Sequence, residues 1–286
     1  MQRYYLLTAG LVACLSSAIT LYLVDPQAFF LYNYKLKDLQ RPPVSNSIGS
    51  TSSTASGTTF AFYKFSLQWP PSTCTSTMPP PGGELKCAGP IPNAFTIHGL
   101  WPQDARDNKI RPYDDDPSCT TSVPKRPDKI IPDLQPIEQE LKQLWPNLKN
   151  SDNERLNQEF WKEEWRKHGM CSDYAEVPFG YFNSSLELRK GFHPVFKLEP
   201  GATYTAQCVA EIVRAQVGAE PEIACSKSRV ENNKLLLWEV RLCYNKTTYP
   251  KREAVQDCKK GFSGQCKKSN NKIKIPSSPQ YPSGEY

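Results

Sequence analysis

Large apolar residues crowd together in FAFYKFSLQW, residues 60–69, a composition of high strand propensity, and Pro70-Pro71 then withdraws two backbone donors. The pattern predicts a strand ending at Trp69. A second strand is expected over 94–100, stopped by Trp101-Pro102. Leu134, Ile137, Leu141, Leu144 and Leu148 recur at helical spacing, predicting a helix with one buried face whose last turn Pro146 should break. Ser151-Asp152-Asn153-Glu154 resembles a capping box, opening a second helix that runs to about Lys167, with Gly169 closing it. LLLWEVRLCY, residues 235–244, predicts a central strand with Leu236, Trp238, Val240 and Leu242 on one face. Strands and helices mix without βαβ alternation, so the expected class is α+β, as one domain over about 60–268. Residues 269–286 are expected to form a flexible tail.

The remaining N-terminal residues show no such pattern. Tyr4 to Val24 carry no charge and follow Arg3, which reads either as a signal peptide over 1–24, cleaved after Ala18, or as an uncleaved signal anchor. Residues 25–59 are expected to be a disordered linker, because the Ser/Thr-rich stretch RPPVSNSIGSTSSTASGTT has no aromatic residue with which to build a core. Either reading of the N-terminus delivers the rest of the chain outside the cytosol. The ten cysteines agree: they stand singly, without CxxC pairs, as in a disulfide framework rather than a zinc site. Asn183-Ser184-Ser185 and Asn245-Lys246-Thr247 are candidate glycan sites on the surface. Formal net charge is +6, and residues 227–274 concentrate 13 Lys/Arg against four acids; this reads as a solvated basic face or one that attracts polyanions.

Two of the three histidines lie in informative surroundings. His98 sits in FTIHGLWP beside Gly99, which permits close backbone approach, and Pro102, expected to force a turn. His168 sits in FWKEEWRKHGMC near a helix end, where Glu164, Lys167 and His168 can project toward one place by their i, i+3 and i, i+4 spacing. Two imidazoles can serve as acid and base in one displacement near neutral pH. No thiol pair or HExxH spacing accompanies them, which disfavours a metal. His193, in GFHPVF, is expected to be structural.

FTIHGLWP and WKEEWRKHGMC together resemble the two active-site segments of the ribonuclease T2 family, and the resemblance extends through FSLQWPPSTC and LWEVRLCY over about residues 60–266. It implies an antiparallel sheet packed with helices. It also implies endonucleolytic cleavage of single-stranded RNA by transphosphorylation through a 2′,3′-cyclic phosphate, with no metal or other cofactor. DNA should be spared, because the attacking 2′-OH belongs to the substrate. The family's roles fall on His168 as base, His98 as acid, and Glu164 with Lys167 as supports of the transition state. Gln68, Trp69 and Trp101 become candidates for substrate contact, with a core role equally open to the two Trp. The implied disulfides are Cys74–Cys87, Cys119–Cys171, Cys225–Cys266 and Cys243–Cys258. Cys208 then stands as a buried free thiol and Cys14 lies in the signal. Two departures stand out: many members carry a phosphate-binding His where this chain has Glu163, and Thr where it has Met170. The basic charge and the QWPP opening look most like plant pistil self-incompatibility ribonucleases, implying secretion, a glycosylated monomer and pollen recognition partners. A phosphate-scavenging or defence ribonuclease and a non-catalytic recognition protein are the alternatives.

Overall fold

A computed structural model describes residues 60–75, 87, 90–150, 152–229, 231–232, 234–246 and 254–278. The expected signal or anchor, the linker and Cys14 lie outside them. Among the described residues, no helix is long and apolar enough to cross a membrane.

The strands are β1 (Phe62–Gln68), β2 (Thr96–Gln103), β3 (Thr203–Thr205), β4 (Glu222–Lys227), β5 (Leu235–Asn245), β6 (Val255–Gln256), β7 (Phe262–Gly264) and β8 (Lys272–Lys274). They join in one sheet whose main path runs β2-β1-β5-β4-β7, with β5 also pairing with β6 and β8. The pairings are antiparallel except β4 with β7 and β5 with β8. The long helices are α4 (Glu154–Lys167), α5 (Pro178–Lys190) and α6 (Ala206–Val217), after the short α1 (Pro70–Thr75), α2 (Ile131–Leu134) and α3 (Glu138–Leu144). The fold is the expected α+β.

Several boundaries differ from expectation for identifiable reasons. β2 continues through Trp101-Pro102 to Gln103, and Pro102 forces no turn. β2 is the edge of the sheet, where a missing N–H breaks no ladder, and the Pro102 carbonyl still accepts from Ile110 N. The helix expected over 134–148 is divided at Gln135–Ile137 by Pro136, which lacks the amide a continuous helix needs. The cap of α4 is Asn153 rather than Ser151, its side chain accepting from Leu156 N at 3.1 Å. The tail is structured as far as Ser278: Ile273 and Ile275, on either side of Lys274, enter the core, and the Pro276 carbonyl accepts from Trp69 Nε1. Cys208 is buried but disulfide-bonded, not free. The pairs Cys74–Cys87, Cys119–Cys171, Cys225–Cys266 and Cys243–Cys258 are all formed. Asn183 lies half-buried inside α5, and the Ser185 of its sequon is fully buried, donating to the Tyr181 carbonyl; this is not a surface loop. Asn245 is exposed at the end of β5.

The two faces of the sheet are opposite in chemistry. On one, Tyr63, Phe65, Leu67, Val240, Leu242 and Tyr244 meet an aromatic layer in which Trp145 packs on Phe182 at 5.0 Å and Trp165 on Tyr181 at 5.6 Å. Each such side chain stabilises by about 1.5–3 kcal/mol when fully buried. On the other face lie Lys64, Gln68, Glu222, Glu239 and Arg241, also buried except for Arg241, which is partly so. Two bulges decide which residues look which way. Ser66 pairs with Gly99 but Leu67 with Ile97, leaving His98 as the extra residue of β2. Ala224 pairs with Glu239 but Cys225 with Leu237, leaving Trp238 as the extra residue of β5. The second bulge puts Leu237 in the core with Val240 and Leu242, so Leu236 and Trp238 do not share the face expected of them.

Candidate active site

His98 reaches the site because its bulge turns it off the regular pleat. Its carbonyl accepts from Trp145 Nε1 at 3.0 Å, and Tyr181 hydroxyl donates to the neighbouring Leu100 carbonyl at 2.7 Å, so the aromatic layer holds this strand from behind. His168 is the C-cap of α4, its amide donating to the Glu164 carbonyl. The α4 helix is fixed by Trp161 and Trp165, whose indole nitrogens donate to the Trp145 and Lys125 carbonyls at 2.8 Å. The Cys119–Cys171 disulfide ties down the turn just beyond His168.

Trp101 joins the two halves. Its ring lies 5.1 Å from the His98 ring and 5.6 Å from the His168 ring, so both imidazoles address one cleft. Trp101 Nε1 donates to Glu164 Oε2 at 3.3 Å. Gly99 explains how these groups fit: a Cβ there would overlap both the Trp101 indole and the Glu164 carboxylate. Gln68 pairs with Glu239 across the strands and looks to the same side. Trp69, by contrast, is fully buried against Phe95 and bonded to Pro276; it is a core residue, not a substrate contact. His193 is exposed and its Nδ1 accepts from the Val195 and Lys197 amides, a local turn role.

Glu164 and Lys167 do not project toward the same place. Glu164 is buried on the cleft side, whereas Lys167 Nζ pairs with Glu163 Oε1 at 2.9 Å on the exposed side, where Arg166 binds the same carboxylate. With Arg166 and Lys167 against it, Glu163 is held at a pKa of about 2.

Sequence reasoning missed Glu239 and Arg241. His98 Nδ1–H donates to Glu239 Oε1 at 2.5 Å, Arg241 Nε donates to Glu239 Oε2 at 2.7 Å, and Arg241 also binds Glu222 at 2.6 Å. Glu222 continues to Lys64 at 2.6 Å and Lys64 to Asp107 at 2.5 Å. The signal was present: in a buried strand, Glu239 and Arg241 alternate with Val240 and Leu242, and charged residues on such a strand require partners.

This network gives the imidazoles opposite charge preferences. Burial opposes protonation of His98, but the Glu239 carboxylate outweighs it, aided by Glu164, and the His98 pKa is raised. Burial lowers the His168 pKa well below the ordinary value, and Lys109, His98 and Lys167 push it further the same way. The helix C-terminus would favour a cation there by up to about 2 kcal/mol, and that is overcome. Burial also raises the Glu164 pKa, against the pull of His98 and the Trp101 hydrogen bond. Glu239, though buried, stays ionised, with a pKa near 2 set by Arg241 and His98. One neutral and one protonated imidazole on a shared cleft are equipped for concerted proton transfer.

Fold and site together define an endoribonuclease of the T2 type. The model of the Ribonuclease T2 family matches residues 60–258, and the chain belongs to that family. Among curated relatives, Ribonuclease S-2 of Nicotiana alata is 28% identical over 228 residues, 76% of this chain and 89% of that protein. Ribonuclease MC of Momordica charantia is 28% identical over 172 residues, 58% and 80% of the two chains. Among solved structures, the self-incompatibility associated SF11-RNase of Nicotiana alata superimposes with a TM-score of 0.56 at 25% identity, covering 76% of this chain and 99% of that one.

Proposed function

We propose that this protein is a secreted endoribonuclease that cleaves single-stranded RNA without a metal, through a 2′,3′-cyclic phosphate. Neutral His168 takes the proton from the ribose 2′-OH as O2′ forms its bond to phosphorus. Protonated His98, its Nδ1 engaged by Glu239, gives a proton from Nε2 to O5′ as the P–O5′ bond breaks. Glu164 stands by with Trp101 to support charge on the phosphorane. The observation that carries this reading is the division of charge between the two imidazoles across Trp101. The test is cleavage of single-stranded RNA in EDTA by the purified protein and by His98→Ala and His168→Ala. Each substitution should abolish cleavage while leaving the fold intact, and a cyclic phosphate should accumulate before hydrolysis. Undiminished cleavage by both variants would overturn the mechanism.

The biological role proposed is that of a pistil self-incompatibility ribonuclease with pollen partners. It is supported by the S-ribonuclease relatives and by the net charge of +6. Transcript confined to the style is the expected result. Induction in other tissues by phosphate shortage would instead indicate a scavenging enzyme. Secretion is supported by the four described disulfides, which persist in oxidising compartments.

A further inference from the structure

Lys109, which no motif singles out, occupies a position over the cleft. It follows a tight hairpin leaving β2: Asp104 N donates to the Asn108 carbonyl, Asp104 Oδ1 accepts from the Arg106 and Asn108 amides, and a bridge pairs Gln103 with Lys109. Asp107 has a left-handed backbone, φ 66°, and turns its carboxylate inward. That carboxylate is 1% exposed and pairs with Lys64 at 2.5 Å and Lys260 at 3.5 Å, so the hairpin is anchored from beneath by the ionic layer. The anchor directs Lys109 over the cleft. Its Nζ stands 4.1 Å above the Trp101 ring, the same ring that both imidazoles flank. Among the described residues this ammonium makes no ion pair, whereas Lys167 is bound by Glu163 and Arg241 by Glu239 and Glu222.

We infer that Lys109 is the cation that binds the scissile phosphate, in the place where Lys167 would be expected to act. The inference rests on the ribonuclease reading of the cleft. A phosphodiester spanning His98 and His168 passes the edge of Trp101, and its non-bridging oxygens then lie beside an ammonium that makes no ion pair among the described residues. The charges around Lys109 are mixed: Arg241 and Lys167 act on it with the same sign of charge, Glu239 and Glu164 with the opposite sign but without an ion pair, and Lys109 is the strongest charge acting on His168. An incoming phosphate relieves that mutual repulsion. Lys109 thereby performs two tasks, holding the substrate and keeping the base unprotonated until the substrate arrives. The competing account, an ammonium resting on an indole for stability alone, predicts no link to phosphate.

The test compares Lys109→Met, Lys109→Arg and Lys167→Met with the parent protein. Binding of inorganic phosphate is measured calorimetrically, and cleavage of a dinucleoside phosphate across pH. Lys109 is exposed, so thermal melting should be unchanged. Lys109→Met should lose measurable phosphate binding and about 100-fold in kcat/KM. It should also move the ascending limb of the pH profile upward, because the charge depressing the His168 pKa is gone. Lys109→Arg should restore most of both, and Lys167→Met should cost less than Lys109→Met. Phosphate affinity and pH profile unchanged in Lys109→Met would overturn the inference, as would a larger loss in Lys167→Met. Phosphate binding is read whether or not RNA is cleaved, so an inactive parent with Lys109-dependent phosphate binding would contradict the ribonuclease reading alone.

Discussion

His98 and His168 face the same indole, yet one sits on a sheet beside a buried carboxylate and the other at a helix end among cations. Both are largely buried, and burial disfavours the charged form of each. The His98 side chain retains 28% exposure and gains Glu239, which is fully buried and ionised; the balance goes to the imidazolium. Burial acts most strongly on His168, which has no carboxylate bonded to its ring among the described residues, and Lys109 is the strongest charge acting on it; the balance goes to neutral imidazole. Identical side chains take opposite protonation preferences because the charge beside each differs in sign, and the proposed mechanism uses them as acid and base. The resulting pH–rate profile should be a bell with its ascending limb below the ordinary histidine pKa of about 6.5, set by His168, and its descending limb above it, set by His98.

Removing the contrast at its source has the largest expected effect. Glu239→Ala deprives His98 and Arg241 of a buried counter-charge, an uncompensated loss of about 3–5 kcal/mol in stability. It should also cost about 100-fold in kcat/KM at neutral pH, readable by urea unfolding and steady-state kinetics. Glu239→Gln isolates the charge. The acid then deprotonates at lower pH, so the descending limb moves down while the ascending limb stays, and a profile in which both limbs stayed put would refute the assignment. On the His168 side, Cys119→Ser with Cys171→Ser opens a loop closed over a separation of 52 residues, costing about 4 kcal/mol on the chain-entropy account. Activity per folded molecule should fall as well, as His168 loses its tether. Gly99→Ala should destabilise by about 1–3 kcal/mol, since the added methyl would displace Trp101 or Glu164; a crystal structure of the variant with both unmoved would contradict this. Glu163→Gln should be the mildest, within about 0.5 kcal/mol in thermal unfolding, because its partners are solvent-exposed.

Much of the site was legible in FTIHGLWP and WKEEWRKHGMC, because chemistry-bearing residues adjacent in sequence stay adjacent on a strand or helix. Helix α4 and strand β5 were legible for the same reason, their periodicities being local. Glu239 and Arg241 were in plain view opposite Val240 and Leu242, but their partners His98 and Glu222 lie on other strands, and the bulge at Trp238, which moves Leu236 and Trp238 off the expected face, is not marked in LLLWEVRLCY. The strand around Ile273 was not legible because three residues carry too little pattern to register. Trp69 and Trp101 are equivalent as aromatic residues in sequence, and only the packing sent one to the core and the other to the cleft.

What the chain determined by itself was the inventory: two imidazoles, a glycine small enough to let them share an indole, cysteines for stapling, and apolar periods that place these on a strand end and a helix end. Which imidazole favours the protonated form, which lysine stands over the indole between them and which carboxylate is buried beneath were decided by the tertiary structure. The reason is electrostatic: a charge acts through space and through the solvent it excludes, and neither quantity is defined until segments far apart in the chain have packed together.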